Sequence, residues 1–428
     1  MSQNAPQKDS TGKLIILGIQ HVFAMFGATV LVPALTGLNP SVALLCAGLG
    51  TLFFHLCTKG KVPTYLGSSF AFIAGIVTVA GMYAKDGDPN YGLSYATGAI
   101  VVAGALYLVL AALVLWLGAN RIKSFFPPVV TGPMIIIIGM MLAPTAISSI
   151  VSPMGTVSVG WNWLVALVTI ASIMGISLWA KGLFKLVPVL FGIVFGYLAS
   201  AVLTWLGVPL VNMQPVRDAA WISLPAVFLP RFGIKAICMI APIAIVTFVE
   251  HIGDITANGA VVGKDFVKDP GLHRTLIGDG GATMLAGLLG GPANTTYSEN
   301  TGVLAATGNY NPVTLRIAAC IAILLSLFGK LGALLQTLPG PVMGGVSVVL
   351  FGMIAAVGLR TLVGNGVDFK ATRNLLIVAV MLVFGLGGAS ISFHTENFGD
   401  IAFSGTALAA ILGIVLNKAL PAHIEKDA

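Results

Sequence analysis

Charge is what this sequence has little of. Its 428 residues include 22 Lys and Arg and 15 Asp and Glu, so 9% are charged while 57% are hydrophobic. A soluble domain carries about 25% charged residues, and a soluble fold of this size could not cover its surface with so few. Also lacking is a regular alternation of polar and apolar residues, which excludes a transmembrane barrel. No phosphate loop of the G-x-x-x-x-G-K-[ST] type occurs, so ATP drive is unsupported. The cysteines are four, Cys46, Cys57, Cys238 and Cys320, all in apolar runs and without metal-ligand spacing. They read as small packing residues. No nucleophile–base pair or metal set stands beside the acids, so neither an enzyme nor a cofactor or metal site is expected.

What is present is hydrocarbon in runs of about 20 residues, each long enough to span a bilayer. The chain therefore reads as an all-α polytopic membrane protein. Fourteen candidate spans fall near residues 14–36, 40–58, 68–84, 92–118, 127–147, 161–180, 183–206, 236–259, 271–290, 297–308, 312–335, 341–360, 371–391 and 402–420. The first run is too long for a signal-peptide core and no small-residue cleavage site follows it, so it is expected to be span 1. Residues 211–234, with Pro215, Trp221, Pro225 and Pro230, read as an external connection lying partly at the interface. The first dozen residues and the tail after Pro421 are polar.

The net charge of +7 is a topology signal rather than a nucleic-acid signal. With both termini cytoplasmic, only Lys85, Arg217, Arg231, Lys235 and Lys330 fall outside, leaving 17 of the 22 cations inside, Lys8 and Lys426 among them. That is a positive-inside distribution for a multi-pass protein of the cytoplasmic membrane.

The two halves of the chain resemble each other. Gln20-His21 in span 1 matches Glu250-His251 in span 8, and Ser68-Ser69-Phe70 in span 3 matches Thr295-Thr296-Tyr297 in span 10. The pattern Pro-Val-x-x-Gly-x₆-Gly-Met recurs at Pro128 in span 5 and at Pro341 in span 12. Seven spans per half is an odd number, so the second half must lie upside-down relative to the first. Such a 7+7 inverted repeat is a common plan of secondary transporters. Spans 3 and 10 are each preceded by Pro, Gly and Ser/Thr, which makes them interrupted spans. Irregular backbone at membrane depth survives only where protein buries it or a cavity wets it. A half-helix starting there aims free N–H groups at that cavity.

Four carboxylates, Glu250, Asp254, Asp279 and Glu299, lie inside apolar stretches. A charge at the bilayer centre costs about 2.5–3.5 kcal/mol on insertion scales and marks a functional position. Glu250 and Asp254, at i and i+4, share one helical face. Two such acids resist ionising together, which suits proton coupling. Asp254 also reads as a residue near a wet helix end, and Glu250 as a purely structural acid. Glu299 opens the second half-helix, where it is either a cap or a substrate acceptor. Asp279 reads as buried glue between helices or as part of a proton path. His21 and His251 read as interhelical hydrogen-bond partners rather than as a ligand or relay, and Lys330 as a side chain snorkelling outward. Acids that accept, amides at Phe70 and Ser298 that donate, and flat rings at Phe70 and Tyr297 suit a planar heterocycle with an N–H and C=O edge.

At these residues the chain resembles the nucleobase–ascorbate transporter family, and within it the bacterial uracil branch. The resemblance rests on Gln20-His21-x-Phe23-Ala24-Met25-Phe26-Gly27-Ala28-Thr29, on Tyr65-Leu66-Gly67-Ser68-Ser69-Phe70-Ala71-Phe72, and on Asn294-Thr295-Thr296-Tyr297-x-Glu299-Asn300. The loop Asp269-Pro270-Gly271-Leu272-His273-Arg274 is similar to that of the uracil branch. The resemblance implies fourteen segments in two inverted repeats, with short antiparallel strands opening spans 3 and 10. It implies a core domain from residues 1–119 and 234–336 and a gate domain from 120–233 and 337–422. It implies proton-coupled uracil uptake by alternating access, in contact with membrane lipid, with a homodimer through the gate domain. Glu250 and Glu299 would accept the substrate N–H groups, and amides at Phe70 and Ser298 would meet its carbonyls. Phe70, Tyr297 and Ser69 would shape the pocket; Asp254, Glu250 and, more weakly, Asp279 would couple the proton. Two positions depart from the family pattern. Asp254 stands where the best-known uracil symporter has His, and Phe351 where such members have Tyr. A purine or xanthine permease of the family is the nearest alternative, though those members usually carry Gln at the position of Glu299. An anion transporter of the same fold is disfavoured, because two pocket carboxylates would repel its cargo.

Overall fold

The computed structural model describes residues 10–155, 157–395, 399–403 and 405–421. The extreme N-terminus with Lys8 and the tail with Lys426 lie outside the described residues.

Span 1 is one helix, Thr11–Thr36, and span 2 is Pro40–Cys57. Span 2 starts where Asn39 accepts hydrogen bonds from the Ser41 and Val42 amides, with Pro40 at the first helical position. The same pairing, Asn311 then Pro312, opens span 11. Span 4 is Tyr91–Leu117, span 6 Val159–Trp179, span 7 Pro188–Trp205, span 9 Leu272–Leu288 and span 12 Gly340–Gly364. Spans 13 and 14 are Thr372–Leu386 and Gly405–Ala419. Eight helical segments are long and apolar enough to cross a membrane among the described residues.

Three further spans are broken, beyond the two the sequence marks. Span 5 is Pro128–Met141 then Ala143–Val151, and span 8 is Ile234–Ile240 then Ile243–Val262. Pro144 and Pro242 remove a donor at those breaks. Span 11 divides into Pro312–Ser326 and Gly329–Gln336. There the backbone at Leu327 and Gly329 bonds instead to Ser223 and Trp221 of the external connection. Lys330 fixes that connection, donating to the carbonyls of Val216 and Arg217 at 2.6 and 2.9 Å. A hairpin without a signal in the sequence, Ile391–Thr395 paired antiparallel with Gly399–Phe403, joins spans 13 and 14.

Close helix contacts are made at small residues, as lipid-embedded packing requires. A Cβ at Gly104 of span 4 would lie 2.6 Å from the Gly280 carbonyl of span 9, and one at Gly139 of span 5 would lie 2.5 Å from the Phe351 carbonyl of span 12. Spans 4 and 9, and spans 5 and 12, therefore meet backbone to backbone.

Spans 3 and 10 position the site. Span 3 is a strand, Leu66–Ser68, a helical turn at Phe70–Phe72 and a helix, Ile73–Met82. Span 10 is a strand, Asn294–Thr296, and a helix, Ser298–Thr307. The strands pair antiparallel with Gly67 opposite Thr295, so the two ten-residue helices leave in opposite directions.

Candidate functional site

The crossing strands and the residues that flank them are tied to four surrounding helices. Thr51 of span 2 accepts from the Leu66 amide at 2.9 Å. Asn294 donates to the Cys46 carbonyl at 3.0 Å, and Thr283 of span 9 donates to the Asn294 carbonyl at 2.9 Å. Ser68 donates to the Thr29 carbonyl of span 1, while Asn258 of span 8 donates to the Pro63 carbonyl. Beyond the ladder, the Ser69 amide donates to the Ala293 carbonyl and the Tyr297 amide to the Tyr65 carbonyl. The backbone groups named here thus find protein partners, as backbone at membrane depth must.

This scaffold brings three of the four intramembrane acids together. Glu250, Asp254 and Glu299 are each partly buried. Glu250 lies within electrostatic reach of Asp254, Glu299 and Asp279. Asp254 accepts hydrogen bonds from the Thr296 hydroxyl at 2.6 Å and the Ser298 hydroxyl at 3.0 Å. Spans 8 and 10 are thereby tied at the start of the half-helix, a link that no residue spacing signals. Glu299 sits in the first turn of that half-helix, where the dipole favours an anion.

The other expected residues are distributed around this group. Phe70 is half-buried and meets Phe351 of span 12 edge to face, with centroids 6.2 Å apart. Ser298 is exposed at the helix start. Ser69 is fully buried with its hydroxyl unpartnered among the described residues. Tyr297 is also buried; its hydroxyl donates to the Ser68 carbonyl at 3.0 Å and accepts from Thr29 at 3.3 Å. Its ring lies over Gly67, where a Cβ would overlap it. Asp279 is fully buried beside His251. His21 is an interhelical partner, taking the Asn300 amide group at its ring and at its carbonyl. A cleft of ≈410 Å³ beside the C-terminal half of span 8 is lined by Thr256, Gly259 and Ala260, and by none of the four acids.

The profile described as "Permease family" (Xan_ur_permease) matches residues 12–393. The chain belongs to the nucleobase–ascorbate transporter family. It is 45% identical over 422 residues to a probable uracil permease of Pasteurella multocida, covering 98% of this chain and 97% of that one. It is 46% identical over 421 residues to a uracil permease of Bacillus caldolyticus, covering 97% and 93%. In fold it is similar to the transmembrane domain of the cyanobacterial bicarbonate transporter BicA, with a TM-score of 0.66 at 16% identity over 94% of this chain and 97% of that one. The family member is therefore an integral membrane transporter on a 7+7 fold. In this chain the strand crossing presents acids, Asp254 bonded to Thr296 and Ser298 and Glu299 in the first turn after the strand.

Proposed function

We propose that this family member imports uracil across the cytoplasmic membrane of a bacterium, driven by protons and working by alternating access. The carrying observation is the gathering of Glu250, Asp254 and Glu299 at the start of the span 10 half-helix, beside the amide of Ser298. Uracil presents two N–H groups and two carbonyls in one plane. Glu250 and Glu299 accept the N–H groups, and the amides of Phe70 and Ser298 donate to the carbonyls. Phe70 packs against the ring, Ser69 and the buried Tyr297 support the strands beneath it, and Asp254 with Glu250 handles the proton. The names of the relatives agree with this substrate. Among family alternatives, the acid at Glu299 favours uracil over xanthine, and pocket acids disfavour an anion.

The moving bodies are a core of residues 1–119 and 234–336 and a gate of 120–233 and 337–422. Packing supports this division: spans 4 and 9 meet through Gly104 and Gly280, and spans 5 and 12 through Gly139 and Phe351. The Phe70–Phe351 pair crosses the boundary, where sliding would open and close the site. Both termini face the cytoplasm, and two copies associate through the gate.

Liposomes holding the purified protein test the reading. Labelled uracil is expected to accumulate under an inward proton gradient, with loss on adding protonophore and competition by pyrimidines rather than by purines or bicarbonate. Uptake that needs sodium and ignores protonophore would overturn the proton assignment. Competition by xanthine alone would overturn the substrate.

A further inference from the structure

Two of the three segments that join the proposed core to the proposed gate run on the external side: the connection from span 7 to span 8, and the link from span 11 to span 12. The third, from span 4 to span 5, lies at the opposite end, where Phe126 meets Phe248 of span 8 edge to face with centroids 5.4 Å apart. The two external segments are joined on both sides of the boundary. On the gate side the joint is Tyr197 of span 7. Its hydroxyl lies 2.9 Å from Thr337 Oγ1, just past span 11, and 3.2 Å from the Met213 sulfur of the connection. Thr337 donates its own proton to the Leu334 carbonyl at 2.7 Å, which leaves its lone pairs for Tyr197. As far as Met213 the connection belongs to the gate. The Leu210 and Val211 amides donate to Thr204 of span 7 at 3.2 and 3.0 Å, and Leu210 is buried in one apolar cluster with Leu203 and Val342.

Directly after Met213 the contacts change sides. Lys330 of span 11 holds the carbonyls of Val216 and Arg217, in the short helix Gln214–Asp218. The half of span 11 that carries Lys330 sits on span 2, with Gly332 against Ser41. The Ser223 amide donates to the Leu327 carbonyl at 2.9 Å and the Gly329 amide to the Trp221 carbonyl at 3.1 Å, so Ile222 stands opposite Phe328 in an antiparallel bridge. A Cβ at Gly290, ahead of the span 10 strand, would lie 2.9 Å from the Phe228 ring. The Arg231 amide donates to the Ser94 carbonyl of span 4 at 2.8 Å, and the Arg231 carbonyl covers Gly98. From Val216 to Arg231 the connection thus lies across spans 11, 10 and 4, all of the proposed core.

We infer that residues 214–233 travel with the core as its outer cover, and that Tyr197 clasps both external links into one hinge. The inference rests on the two-body reading above and moves one of its boundaries, since chain order groups these residues with the gate. Gln214 and Pro215 alone stand between Met213 at the clasp and Val216 under Lys330. Leu338 and Pro339 stand between Thr337 and the start of span 12 at Gly340, where a Cβ would lie 2.8 Å from the Ser149 carbonyl of span 5. Because both short links leave the gate beside one side chain, the core can turn about that point without stretching either. Lys330 ties the links together on the core side, so they turn as a pair.

The test uses the reconstituted full chain with Cys46, Cys57, Cys238 and Cys320 changed to Ala, and reads exchange of labelled uracil, which needs no gradient. Ile222→Cys with Phe328→Cys puts two thiols at the bridge, where the pairing geometry holds Cα atoms about 4.5 Å apart and suits a disulfide. If the cover travels with the core, oxidation leaves the exchange rate unchanged. If the cover belongs to the gate, the same disulfide ties the two bodies together. Exchange that is lost on oxidation and regained with reductant therefore overturns the inference. Tyr197→Phe keeps the ring and removes the clasp. The two links then flex separately and fewer excursions of the core are productive. Exchange should slow by roughly two- to tenfold, the worth of one net hydrogen bond, while calorimetric uracil affinity stays at the parental value. A parental exchange rate, or affinity falling in step with the rate, overturns the clasp. If the double cysteine variant binds no uracil in reductant, Tyr197→Phe decides by the same outcomes. A parent that binds and exchanges no uracil would instead refute the proposed function, and is read separately.

Discussion

The Thr296 hydroxyl donates to Asp254 Oδ2 at 2.6 Å, across 42 residues of chain and between two different spans. With Ser298 on the other oxygen, Asp254 holds the first residues of the span 10 half-helix in place. Hydrogen bonds to an ionised acceptor are worth about twice neutral ones. On the proton-driven reading proposed above, the charge state of Asp254 would set the strength of both ties to the first residues of span 10.

Asp254→Asn keeps the shape but weakens both bonds. The loss of charge assistance is about 1 kcal/mol, or roughly fivefold in affinity. Accumulation under a proton gradient should fall further than affinity, and further than exchange of uracil across the membrane, which needs no net proton movement. Calorimetry beside gradient-driven uptake checks the difference. Equal losses in all three would reduce Asp254 to a structural tie.

Glu250→Gln and Glu299→Gln each exchange an acceptor pair for one acceptor and one donor facing the substrate N–H. A lost charge-assisted bond costs about 1.5–3 kcal/mol, roughly ten- to over a hundredfold in uracil affinity. Competition binding with labelled uracil measures it. Normal binding by both variants would remove these residues from the site.

The parts of this fold legible in the sequence are those with local causes. Charge scarcity and run length marked the spans, and Pro, Gly and Ser/Thr clusters marked the interrupted ones. The matched motifs at Ser68 and Thr295 anticipated that those segments would correspond, and they pair strand to strand. The acids were legible because a carboxylate in an apolar run is rare. Their partners were not. Thr296 and Ser298 on Asp254, or Thr275 on His251, are ordinary hydroxyls that become specific only when two helices meet. The hairpin of Ile391–Thr395 and Gly399–Phe403 was missed because its five-residue strands fall largely between two apolar runs, where run length carries no signal.

Phe351→Leu keeps apolar volume in span 12 but removes the ring that meets Phe70 edge to face. Such aromatic pairs contribute about 0.5–1.5 kcal/mol beyond area. Uracil affinity should fall roughly two- to tenfold with little change in thermal stability. Unchanged affinity would show that Phe70 keeps its position without span 12.

Gly67→Ala probes the strand crossing itself. Gly67 is opposite Thr295 in the ladder, and its open side is filled by the Tyr297 ring. A methyl group there has nowhere to go: the strand is bonded on both edges, and the ring is pinned by its hydroxyl to Ser68 and Thr29. Relief requires Tyr297 to swing out, which breaks both bonds and shifts the Ser298 amide that follows it. Overpacking of this kind costs about 1–3 kcal/mol. The expected result is a lower unfolding temperature in detergent together with weaker uracil binding. Gly67→Ala combined with Tyr297→Phe releases the ring and should recover stability more than binding, because the freed ring no longer fixes the start of span 10. A single variant as stable as the parent, with full uracil affinity, would mean that the Tyr297 contact is not what sets the geometry of the crossing.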